Sequence, residues 1–131
     1  MIKYLVAIIA LSSFSVSAEC WVVANLKGYS AYNTDKYVFD KNAISNGVFH
    51  VDIREEKADL RLVGDSFSGA GLHYIPASPA SMVGFFSEGD KSTIETWAIT
   101  KDKKVMYSKV MINPETLNST SSFVGDVVGK C

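Results

Sequence analysis

Residues 93–112 read Thr-Ile-Glu-Thr-Trp-Ala-Ile-Thr, then Lys-Asp-Lys-Lys, then Val-Met-Tyr-Ser-Lys-Val-Met-Ile. Two runs rich in β-branched and aromatic residues flank a short charged break, the pattern of two antiparallel strands joined by a tight turn. With Asp102 and Lys103 as a two-residue turn, Ile99 stands opposite Met106, Trp97 opposite Ser108 and Glu95 opposite Val110. Trp97 and Ile99 then share a face with Met106 and Val110, and that face requires a core. A lone hairpin is only marginally stable in water, so the rest of the chain has to supply the strands that cover it.

Working outward from the hairpin, further strands are expected at 20–26, 36–39, 48–53, 58–63, 82–86 and 122–128. Lys27-Gly28 and Asn46-Gly47 read as turns, the second because Asn and Gly tolerate the positive φ of a tight reversal. After Asn46-Gly47, Phe49, Val51 and Ile53 alternate with His50 and Asp52, which makes the first set the core face. Ala58, Leu60 and Leu62 alternate in the same way against Asp59 and Arg61. The segment 66–81 carries glycine and proline punctuation and reads as a loop. No stretch holds a helical period over eleven or more residues, so helix is limited to at most one short segment at 40–45. The expected fold is mostly β: a single small antiparallel barrel of about eight strands, lipocalin-like, or failing that a β-sandwich.

The chain begins with one cationic side chain at Lys3, an unbroken apolar run over 4–11 and a small, polar stretch ending Val16-Ser17-Ala18. That is the layout of a secretory signal peptide cleaved after Ala18, leaving 19–131 as one exported domain. The apolar run is far shorter than the roughly 20 residues a membrane span needs, so no anchor is expected after cleavage. A periplasmic or secreted bacterial protein follows. The only two cysteines, Cys20 and Cys131, stand at opposite ends of that domain. In an oxidising compartment they are expected to pair, bringing the first and last strands together, which favours the barrel over the sandwich. Neither a reactive dithiol nor a metal site has the Cys-x-x-Cys or histidine spacing it would need, and no cofactor is implied.

Thirteen basic and fourteen acidic side chains give a formal net charge of −1 with no block of one sign, which argues against nucleic acid as a partner. Gly64-Asp65-Ser66-Phe67-Ser68 resembles the Gly-Asp-Ser block of the GDSL hydrolase family, whose serine is the nucleophile. The family's Asp-x-x-His near the C-terminus is missing, and His50 and His73 are the only histidines, so the block reads as turn chemistry and no catalytic residue is expected. Ser68-Gly69-Ala70 followed by Tyr74 resembles the Ser-Gly-x-x-Tyr loop of the small-barrel periplasmic lysozyme inhibitors, with two extra residues before the tyrosine. That resemblance implies a polar loop inserted into an enzyme cleft.

His50 and Asp52 share a strand face and would need His73 to hold a metal; they read as solvent-facing polar residues. Phe85 and Phe86 are adjacent on one strand, so one faces out and is a candidate partner contact. The sequence therefore predicts a non-enzymatic binding protein that meets a protein partner through Ser68, His73, Tyr74, Phe85 and Phe86. Two alternatives stand beside it: a small apolar ligand carried inside the barrel, and inhibition of a secreted enzyme such as lysozyme.

Overall fold

A computed structural model describes residues 19–63 and 72–131. Among the described residues nine strands run in chain order: β1 (Glu19–Tyr32), β2 (Asp40–Ile44), β3 (Phe49–Ile53), β4 (Ala58–Leu62), β5 (His73–Ser78), β6 (Ser81–Glu88), β7 (Lys91–Ile99), β8 (Lys104–Ile112) and β9 (Ser119–Lys130). All ladders are antiparallel, and the order β4-β3-β1-β9-β8-β7-β6-β5, with β2 beside β1, makes a nearly closed eight-strand barrel. The seam lies between β4 and β5. The expected barrel is the observed fold, and Cys20 and Cys131 are joined with their Cα atoms 5.2 Å apart.

β1 organises the closure. Its first half pairs with β3 and its second half with β2, while β9 runs along its other edge. The strand changes course at Asn25, which adopts φ 60° at an irregularity in the ladder with β9 and donates from Nδ2 to Asp126 Oδ2 at 3.1 Å. Asn is one of the few residues that enters this left-handed region at low cost.

Several expected boundaries are corrected. Lys27-Gly28 is not a turn but mid-strand: a Cβ on Gly28 would lie 1.9 Å from the Ser122 carbonyl oxygen and 2.7 Å from the Phe123 ring, so the glycine admits a close neighbour. The strand expected at 36–39 is a turn in which Lys36 and Tyr37 both take positive φ, and the segment allowed as a short helix at 40–45 contains β2 instead. Asn42, with β1 on one side, explains that choice: its Nδ2 donates to Ser30 Oγ and to the Tyr32 hydroxyl, both at 3.1 Å. The expected loop 66–81 contains β5, whose Pro76 is tolerated because the strand stands at the seam.

The central hairpin forms, with its register shifted by one residue from expectation. Ile99 pairs with Val105, Trp97 with Tyr107 and Glu95 with Lys109. The cause is the turn: Lys104 N–H donates to Thr100 Oγ1 at 2.9 Å, Thr100 N–H donates to the Lys104 carbonyl at 2.9 Å, and Lys103 takes φ 62°. This three-residue turn, 101–103, replaces the two-residue one and so moves the register by one. A single-residue slip exchanges the two faces of a strand, so Val105 and Tyr107 are buried while Met106 and Val110 are exposed. The core is Trp21, Val23, Leu26, Val51, Ile53, Leu60, Tyr74, Met82, Trp97, Val105, Tyr107 and Phe123. Val51 and Ile53 confirm the expected inward face of β3, and Phe49 packs half-buried against the same cluster.

Candidate functional site

Two surfaces of the barrel are chemically distinctive, one inside and one outside. Inside, one register row is polar from strand to strand: Glu95 pairs with Lys109, Lys109 with Ser121 and Ser121 with Ser30. Ser30 and Ser121 share a hydrogen bond of 2.7 Å between their hydroxyls. Glu95 lies two residues before Trp97, so the alternation that buries the indole also turns the carboxylate inward.

Burying a carboxylate is costly unless donors replace its water, and two tyrosines do so here. Tyr74 donates to Oε2 at 2.6 Å and Tyr107 donates to Oε1 at 3.2 Å, while Glu95 itself is only 6% exposed. Burial, followed by the Glu95 hydrogen bond and charge, pushes the Tyr74 hydroxyl well above the usual tyrosine range. Burial and then the Glu95 charge and hydrogen bond do the same for Tyr107. Both therefore remain donors at any physiological pH. Gly84 makes the arrangement fit, since a Cβ there would stand 2.4 Å from the Tyr74 ring.

This carboxylate borders a cavity of about 200 Å³, lined by Phe49, Leu60, Trp97 and Tyr107 together with Leu62, Leu72, Phe86, Lys109 and Met111. Trp97 stands at the centre of an aromatic cluster, its ring 4.5 Å from Tyr107 and 5.4 Å from Phe49. Its buried indole N–H has no hydrogen-bond partner among the described residues. Unpaired buried donors are uncommon enough to call for an explanation.

Outside, the outward positions of β5 to β8 form cross-strand rows. His73 pairs with Phe85, Phe85 with Ile94 and Ile94 with Val110. His73 meets the Phe85 ring edge-on at 5.7 Å. Ile75, Phe85, Ile94, Met106 and Val110 are each more than 40% exposed, and the positions between them are Val83, Thr96, Ala98 and Ser108. Among the described residues at these positions His73 is the titratable side chain within the field, and Lys104, outward at the start of β8, stands at its hairpin end paired with Asp126. The outward positions of β3 and β4 contrast with it: Asp52 pairs with Arg54 at 3.4 Å and Asp59 with Arg61 at 3.2 Å.

The residues singled out in the sequence thus divide. His73 and Phe85 lie together on the outer face. Tyr74 points inward to Glu95, and Phe86 stands at the cavity, so neither belongs to that face. Ser68 and the Gly-Asp-Ser block fall outside the described residues, as does the segment expected to be a signal peptide. His50 sits beside the disulfide, its ring nitrogen and the two sulfurs within 4.8 Å of one another. Sequence reasoning missed Glu95, Lys109 and Ile94. The spacing of Glu95 from Trp97 was a usable signal for the first; the other two depended on register. No protein-family model matches the chain, and neither a curated protein nor a solved structure does so at a significant level.

Proposed function

We propose that the protein is an exported, non-enzymatic binding protein that engages a protein partner through the outer face of β5 to β8. The observation that carries this reading is the cross-strand row His73, Phe85, Ile94 and Val110, whose neighbouring outward positions are uncharged, with Lys104 at the hairpin end of β8. Contiguous exposed apolar surface of this kind marks interaction sites on soluble proteins, and loss of charge is what distinguishes the centre of an interface from its rim. The disulfide joining the chain ends is consistent with an oxidising compartment outside the cytoplasm.

The test is site-specific photo-cross-linking with the mature, oxidised protein in periplasmic and secreted extract, lysozyme included among the candidates. A photoreactive residue at Ile94 should capture one partner, and the same residue at Arg61 on the charged face should not. Phe85→Asp should abolish that capture while leaving the far-UV spectrum unchanged, because the ring is outside the core. Equal capture from Arg61, or none from Ile94, would overturn the reading.

A further inference from the structure

We infer that the cavity inside the barrel is a binding site for a small zwitterion with an apolar body, distinct from the outer face. Glu95 is the first anchor. An ionised carboxylate offers about four acceptor positions, and the two tyrosines occupy one on each oxygen. The remaining positions suit an ammonium group, and the rings of Phe49, Trp97 and Tyr107 favour a cation beside them.

Lys109 is the second anchor. It is the cross-strand partner of Glu95 and lines the same cavity, yet no ion pair joins the two: the tyrosines hold the carboxylate, and among the described residues Lys109 has no acidic partner within 4.0 Å. A cavity holding one carboxylate and one ammonium is matched by a ligand carrying the opposite pair. A lone amine would be opposed by Lys109, and a lone acid by Glu95. The unpartnered indole N–H of Trp97 is a further donor at the same wall.

The volume sets the size. An apolar cavity of roughly 150 Å³ holds a benzene ring, so about 200 Å³ accommodates a ring or branched chain with a short polar end. The shared chemistry is that of a small aromatic or branched amino acid or a close derivative.

Four probes separate the contributions: phenylalanine, phenethylamine, hydrocinnamate and ethylbenzene, each titrated by calorimetry into the mature, oxidised protein. Phenylalanine should bind at least tenfold more tightly than any of the other three. Lys109→Met should reduce phenylalanine binding about tenfold and leave phenethylamine no weaker. Glu95→Gln should weaken both amines about tenfold, with far-UV and near-UV spectra confirming the fold. Because Lys109 is not part of the core, its variant keeps the test decisive even if Glu95→Gln fails to fold. Ethylbenzene binding as tightly as phenylalanine, or no binding by any probe, would overturn the inference. Neither result bears on the partner face, since Phe85→Asp should leave phenylalanine binding intact.

Discussion

Replacing Tyr74 by Phe removes one hydroxyl and keeps the ring that lies over Gly84. The lost interaction is a 2.6 Å hydrogen bond to a buried carboxylate. Hydrogen bonds to charged groups contribute about 1.5–3 kcal/mol, and here the carboxylate left behind is largely buried. The expected loss of stability is therefore about 2 kcal/mol, against about 1 kcal/mol for Tyr107→Phe, whose bond is longer at 3.2 Å. Gly84→Ala should cost at least as much as Tyr74→Phe, because the new methyl would displace the Tyr74 ring from Glu95. Urea unfolding followed by tryptophan fluorescence measures all three, provided the denaturant slope is unchanged. If Tyr74→Phe lies within about 0.5 kcal/mol of the parent, ordinary for a neutral surface change, the carboxylate is not held as described. The same pair of tyrosines predicts an alkaline limit. Their folded-state ionisation is raised above the unfolded value near 10. The unfolded chain therefore loses protons first. Stability is intact below pH about 10 and falls above it, by up to about 1.4 kcal/mol per pH unit for each tyrosine. Tyr74→Phe should remove about half of that slope, and an unchanged slope would refute the assignment.

Two further predictions concern the frame. Replacing both Cys20 and Cys131 by Ser should lower stability by about 4–5 kcal/mol in the chain-entropy model, since the closed loop is about as long as the domain; an unchanged melting temperature would show that the termini are held by other means. Lys103→Gly should raise stability by about 0.5–1 kcal/mol by relieving a left-handed backbone at φ 62°. A loss in the same urea assay would argue against the three-residue turn and the register it sets.

How far the fold was legible differs from strand to strand. β3 and β4 could be read because charged or polar residues alternate with apolar ones, so His50, Asp52, Asp59 and Arg61 mark the outer side. β8 could not, because Val, Met, Tyr, Ser, Lys, Val, Met and Ile offer two nearly equal faces. The choice fell to the Thr100 hydroxyl, a local contact that no hydrophobic pattern encodes, and it turned Tyr107 and Lys109 inward. β5 was hidden by Pro76 and by an outer face, His73 and Ile75, that lacks the charge which usually signals solvent. The cavity was less legible still. Its carboxylate comes from β7, one tyrosine from β5 and the other from β8, and the residues between those positions carry no trace of their convergence.

The sequence by itself determined the class of the molecule: short β-branched runs, turn residues and a cysteine at each end of 19–131 specify a small antiparallel β domain closed by a disulfide, with a barrel favoured over a sandwich and the choice completed by the strand order. Tertiary structure alone decided which side of each uncharged strand faces inward and which polar groups meet there. Those outcomes depend on register across strands, and register is set by the turns and packing of the whole barrel rather than by any one segment.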